Sequence, residues 1–177
     1  MTLISVSVGA VLSYVVGMLN ERTRWRREQA ARWDVPLLEA YSEYGRAVKE
    51  CVVAYQRLAA HRGLAEDPTP AEPDADALER AAQAEARRST VAEPLRLLAD
   101  PATASAVREL NEAVWHLEWL ARGRMEGAAA DWERAHRAYR DARRAFHDKA
   151  RASLQVPGAV LGERPSWPPA WRTDAPS

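Results

Sequence analysis

Glu133 and His136 stand three positions apart, the Glu-x-x-His spacing that puts a carboxylate and an imidazole on one helix face as half of a metal site. Di-iron bundles use that motif twice, with two further glutamates, and this chain has no second copy. Glu112 and His116, one turn apart, are the residues nearest to completing it. A histidine on a bundle face is more often a hydrogen-bonding residue at the core edge, so neither a metal nor a cofactor is expected. Arg140 and His147 form another pair, with six residues between them. Arg134, Arg137, Arg144 and Arg151 on the same stretch read most simply as a solvated face, one that would also suit an acidic partner or lipid. There is no nucleophile with a base at a recognisable spacing, no glycine-rich phosphate loop and no cysteine cluster. The sequence therefore assigns no catalytic residues, identifies no small-molecule substrate, and points to a protein that is not an enzyme.

The elements behind these residues are helices. The chain has 177 residues, with phenylalanine once and alanine dominating its apolar share, a composition of helices and not of sheets. Net charge is zero and the pI is about neutral, so no nucleic-acid partner is expected. Lys49 and Lys149 are the only lysines, an arginine bias that reads as high-GC coding. Leu37, Tyr41, Tyr44, Val48, Cys51, Tyr55 and Leu58 step by three and four along one face. A parallel coiled coil would fit that spacing, but tyrosines suit a bundle core better, with the ring buried and the hydroxyl at the edge. Pro36 marks either a kink or a restart capped by Asp34.

His61 to Asp74 carries three prolines and an acidic bias and reads as a loop. Asp76 and Glu79 have capping-box spacing for a second helix, with Leu78, Val91, Leu95 and Leu98 inward and Pro94 kinking or interrupting it. Asp100-Pro101 opens a third helix faced by Val107, Leu110, Val114 and Leu117, widened by Trp115, Trp119 and Leu120, and stopped at Arg122-Gly123. A fourth, faced by Trp132, His136, Tyr139, Phe146 and Leu154, ends at Pro157-Gly158. Connections of this length imply an antiparallel bundle. The tail, with Pro165-Ser166-Trp167-Pro168-Pro169-Ala170-Trp171, is too proline-rich for helix or sheet and is expected to be disordered.

Leu3 to Leu19 carries no charge and is followed by Arg22, Arg24, Arg26 and Arg27. As a helix it rises about 26 Å, just enough to span a bilayer. A transmembrane anchor, a cleaved signal peptide and a buried first helix of a soluble bundle compete for this run. A signal peptide carries its positive charge before the apolar run, whereas here the arginines follow it, which favours the anchor. The same asymmetry orients the N-terminus outside and the body in the cytoplasm, where the single Cys51 stays reduced. Arg22, Arg24, Trp25, Arg26 and Arg27 then lie at the lipid headgroups. Ser5, Gly9, Ser13 and Gly17 recur every fourth residue, a small-residue face through which two spans would pack into a homo-oligomer. The organisation expected is thus all-α: a transmembrane anchor over 1–20, an arginine-rich juxtamembrane helix over 21–33, a cytoplasmic bundle of three to four helices over 34–156, and a disordered tail over 157–177.

Several of these pieces carry a resemblance. The N-terminal span, the arginine-rich exit from Asn20 to Arg32, Leu37-Leu38-x-x-Tyr41, Leu97-Leu98-Ala99-Asp100-Pro101 and Arg144-x-Phe146-x-x-x-Ala150-Arg151 resemble small single-pass, membrane-anchored helical-bundle proteins of high-GC bacteria. The resemblance covers most of the chain and implies an interaction or scaffold protein in the cell membrane, bound to lipid and to itself or a protein partner; it implies no reaction. The Arg140–His147 spacing is similar to that of helical-bundle ribonucleases of the HEPN class, and implies an RNA-cleaving effector as the alternative.

Overall fold

The computed structural model describes residues 33–66 and 74–157, and every regular element in them is an α-helix. Helix α1 covers residues 33–61, α2 Asp74–Leu98, α3 Pro101–Ala121 and α4 Ala129–Ser153. The all-α bundle is as the sequence predicts. Among the described residues no helix is long and apolar enough to cross a membrane. The run Leu3–Leu19, with Ser5, Gly9, Ser13 and Gly17, lies outside the described residues, as do Arg22, Arg24, Trp25, Arg26, Arg27 and the tail from 158 onward.

The α1 face is buried along its whole length: Leu37, Tyr41, Tyr44, Val48, Cys51, Tyr55 and Leu58 are all in the core. Trp33 to Val35 are already helical, so Pro36 lies inside α1 and starts no new helix. Tyr41 near the start of α1 meets Ser153 at the end of α4, hydroxyl to hydroxyl at 3.0 Å, and Gly45 faces His147. These two helices are therefore antiparallel. Tyr44 reaches Asn111 at the middle of α3, while Arg62 past the end of α1 lies against Gly123 past the end of α3, so α1 and α3 run parallel. The result is the up-down-up-down order that short connections dictate.

Helix α2 turns Val91, Leu95 and Leu98 toward the core as expected, but differs at its start and at Leu78. It begins at Asp74, two residues before Asp76, and Glu79 Oε1 accepts from Gln83 Nε2 at 3.1 Å, one turn on, so the helix does not start at the Asp76–Glu79 box. Its inward stripe is Ala77, Ala81, Arg88, Ala92 and Leu95, with Val91 and Leu98 partly buried. Leu78, one position off that stripe, is turned about 100° from it and is half exposed. Pro94 does not interrupt the helix, because it occupies the exposed face, where water satisfies the carbonyl it frees one turn back.

The α3 start follows its sequence signal. Asp100 takes an extended conformation and its Oδ1 accepts the Ala102 and Thr103 N–H groups at 2.9 and 3.2 Å, with Pro101 at the first helical position. Thr103 Oγ1 donates to Asp100 Oδ2 at 2.6 Å. The stop is at Arg122, followed by Gly123 at φ +68°, a conformation that favours glycine. Glu118, also buried, is paired with Arg122 Nε at 2.9 Å in that last turn. Helix α4 buries Trp132, Ala135, Tyr139, Phe146 and Ala150, with His136 and Leu154 at the core edge. It ends at Ser153, ahead of the Pro157-Gly158 stop expected, as Gln155 turns to φ 54° and Arg151 Nη2 donates to the Pro157 carbonyl at 2.9 Å.

Partial burial pushes the Asp100 carboxyl up, but the Thr103 and Ala102 donors outweigh it and hold the group below its ordinary range. Removing the cap with Asp100→Ala is expected to cost about 1 kcal/mol at neutral pH and to lower Tm by about 4 °C. Because the folded-state pKa is depressed, the difference between the two proteins closes as pH falls through it. A thermal-melt series over pH checks both, and a gap that stays constant into acid would refute the cap's charge.

Candidate functional site

The buried α2 stripe is apolar, three alanines and Leu95, except at one place. Arg88 lies seven residues after Ala81 and seven before Leu95, so its guanidinium enters the middle of the bundle, and the residue is only 3 % exposed. A cation taken out of water costs several kcal/mol unless it is paired and its donors are satisfied. Glu85, one turn earlier, supplies the pair as a two-point contact. Arg88 Nε donates to Glu85 Oε2 at 3.0 Å and Nη2 to Glu85 Oε1 at 2.6 Å. The third nitrogen, Nη1, donates to Asn111 Oδ1 on α3. The indole of Trp115, one turn further along α3, lies over the guanidinium with Cζ 5.8 Å from the ring centroid.

Helix α1 completes the cluster from the other side. Tyr44 Oη donates to Asn111 Oδ1 at 2.9 Å, and Tyr55 Oη to Glu85 Oε2 at 3.1 Å. The Cys51 thiol, two turns after Tyr44 and one before Tyr55, faces the same Glu85 oxygen at 4.0 Å. Three helices thus meet through two shared acceptors, Glu85 Oε2 and Asn111 Oδ1. The fourth joins through Phe146, whose ring meets Tyr44 edge-on at 5.4 Å and Tyr41 at 5.9 Å.

The electrostatics keep every proton of the cluster in place at neutral pH. Burial pushes the Cys51 thiol from 9.0 to about 12, against a partial lowering by the Arg88 charge. Burial likewise pushes Tyr44 up to about 12, again opposed by Arg88. Tyr55 is raised by burial, then by Cys51 and Glu85. For Arg88, burial works to lower the pKa, but the Glu85 hydrogen bonds and charge reverse that, so the guanidinium is held more firmly protonated than usual. A protonated, buried thiol is a poor nucleophile, and a fully engaged guanidinium has no fork to offer a ligand. What the cluster can do is fix helix register.

The residues singled out for chemistry in the sequence lie elsewhere. Glu133 is exposed, and His136 sits half-buried between Trp132 and Tyr139, with ring centroids 6.4 and 5.8 Å away. Glu112 and His116 are exposed on α3. Among the described residues no three His, Cys, Asp or Glu side chains gather into a metal-holding group. Arg140 and His147 are both half-buried, about 10 Å apart along α4, and His147 leans on Phe146 at 5.3 Å and faces α1 at Gly45. The expected solvated face holds for Arg134, which pairs with Asp131, and Arg144, which pairs with Asp141 at 3.5 Å. Trp115 and Trp119, expected to widen the α3 core face, are instead 44 % and 49 % exposed, and Trp115 serves as the lid over Arg88. Comparison with protein-family models, with curated proteins and with solved structures gives no match to this chain.

Sequence reasoning placed Tyr44, Cys51 and Tyr55 inward but passed over Glu85, Arg88 and Asn111. The signal was present: with Ala81 and Leu95 inward, the seven-residue step lands on Arg88 and not on Arg87. Truncating either member of the buried pair strands the other, so Glu85→Ala and Arg88→Ala are each expected to cost about 3–5 kcal/mol. The double change to Glu85→Leu with Arg88→Met is expected to cost less than either, read by urea unfolding. A double variant as unstable as the sum of the singles would show that the two side chains act independently.

Alkali attacks the same cluster. The folded-state pKa of Cys51 is raised, so the unfolded chain gives up its proton first and stability falls as pH rises from about 9 toward 12. Cys51→Ala is expected to move the onset of that loss upward, to the range where Tyr44 would begin to titrate in the unfolded chain, near 10. An unchanged onset in alkaline unfolding would place the sensitivity elsewhere.

Proposed function

We propose that this chain is a membrane-anchored, non-enzymatic helical interaction protein, with its bundle held on the cytoplasmic side and its surfaces offered to itself or to a protein partner. The observation that carries the reading is a pairing of two features. One is the uncharged run Leu3–Leu19 with the arginines Arg22, Arg24, Arg26 and Arg27 immediately after it. The other is a bundle whose thiol, tyrosine hydroxyls and central arginine are committed to one another inside the core, a rigid body and not a reaction centre.

The anchor accounts for the order of charge around the run, and its Ser5, Gly9, Ser13 and Gly17 face supports self-association within the bilayer. The small anchored bundle proteins of high-GC bacteria that the chain resembles fit the same description. Half-exposed Trp119 and strongly exposed Leu97 are apolar groups that an interaction surface would cover.

Full-length protein expressed in a bacterial host is expected to stay in the membrane pellet after carbonate washing and to give discrete crosslinked species in that fraction. Gly9→Leu with Gly17→Leu is expected to shift the crosslinked distribution toward monomer. Release by carbonate would contradict the anchor. RNA cleavage by the purified chain, abolished by His147→Ala, would contradict the non-enzymatic reading in favour of the Arg140–His147 alternative.

A further inference from the structure

Helices α1 and α2 border an open groove of about 520 Å³. Its rim carries Arg46, Lys49 and Arg57 from α1 and Arg80 and Arg87 from α2. Among its described lining residues Glu50 is the one carboxylate, and it sits 3.4 Å from Arg87. Among its described lining residues cations outnumber carboxylates, on a chain whose overall charge is zero; Arg57, Arg80 and Arg87 each have a partner, while Arg46 and Lys49 stand exposed on α1. The floor is apolar and low, with Val53 43 % exposed and alanines on both helices, among them Ala54 and Ala84.

We infer that this groove is a docking site for an acidic amphipathic helix of a partner protein, which lies along α1 and α2 as a further helix of the bundle. Three properties select that occupant. A bare phosphate needs convergent donors on the floor, and here the floor is alanine and valine while the cations stand at the rim. A helix that lays an apolar stripe on the floor and glutamates or aspartates on its flanks matches both layers, the arrangement of helix-in-groove recognition. The span from residue 46 to residue 57 on α1 is about 16 Å, three helical turns, which is the footprint of a short docking helix. The alanine floor lets a second backbone come close, and the rim charges speed the encounter and fix the orientation. The inference rests on the interaction-protein reading and gives it a surface and a partner chemistry.

The test uses the full-length chain in detergent micelles and a dye-labelled synthetic peptide of about four turns, with leucine at i, i+3, i+4 and i+7 and glutamate between. Fluorescence anisotropy is expected to show salt-sensitive binding that weakens on the order of ten-fold or more with Arg46→Glu plus Lys49→Glu. Arg108→Glu plus Arg137→Glu, exposed positions on α3 and α4 that make the same change in net charge, is expected to leave binding unaltered. Val53→Asp is expected to weaken binding as well, since it places a carboxylate on the apolar floor. Each variant is compared by circular-dichroism melting, so lost binding is not confused with lost fold.

Equal loss with both charge pairs, or equal binding of a scrambled peptide of the same composition, overturns the proposal in favour of unspecific attraction to polyanions. Peptide inertness together with binding of vesicles containing anionic lipid, abolished by Arg46→Glu plus Lys49→Glu, overturns it in favour of a membrane-facing surface. If the peptide fails to bind while crosslinked species persist in the carbonate-washed membrane, the groove assignment falls and the interaction-protein reading stands.

Discussion

A guanidinium placed among alanines and leucines has to find acceptors for its donors, and the position of Arg88 makes that requirement the organising constraint of the bundle. Glu85 Oε1 and Oε2 answer two of its nitrogens from the same helix, and Asn111 Oδ1 answers the third from α3. The same two acceptor groups are shared with Tyr55 and Tyr44 of α1. Sliding any of the three helices by one turn, about 5.4 Å, would break these contacts together. An apolar core of alanine, valine and leucine tolerates such slips far better, because its contacts are interchangeable. The polar cluster therefore supplies the specificity of register that the alanine-rich α2 lacks, while tyrosine rings, Phe146 and the leucines supply the bulk of the burial. A single buried polar residue has a comparable task in coiled coils, where it fixes register at some cost in stability.

That arrangement has a chemical consequence. Groups that elsewhere would be candidates for catalysis are used up inward: a thiol pushed up to about 12 by burial, two tyrosines raised by the same cause, and a cation locked to its carboxylate. On its outside the molecule presents cationic side chains along α1 and α2, and a half-exposed tryptophan pair on α3. An anchor at the N-terminus would bring those surfaces to the membrane, and the neutral overall charge conceals how unevenly the charges are distributed.

Much of this was legible in the sequence, and the parts that were not share a physical reason. The α1 face could be read residue by residue because large apolar side chains at three- and four-residue steps leave one burial solution. Asp100-Pro101 and Arg122-Gly123 could be read because caps are local chemistry. Helix α2 was read only in part because alanine fits either side of a helix: Val91, Leu95 and Leu98 turn inward as expected, but Leu78 faces outward and an arginine goes in. Trp115 and Trp119 misled in a related way, since a large ring on a widened face can serve as a lid as well as a core residue. Asn111 could not have been singled out, because its role depends on Tyr44 and Arg88 arriving from two other helices.

The most direct test of the register claim is the exchange of the Arg88 Nε proton, followed by NMR in the folded protein near neutral pH with the exposed Arg108 and Arg137 as internal references. If the Glu85–Arg88–Asn111 contacts hold the three helices together, that proton will be resolved from the bulk arginine signals and will exchange only through opening of the bundle, at a rate that tracks the slowest core amides. An Arg88 Nε proton that exchanges as fast as those of Arg108 and Arg137 would contradict it, because a guanidinium open to water could not be what sets the register.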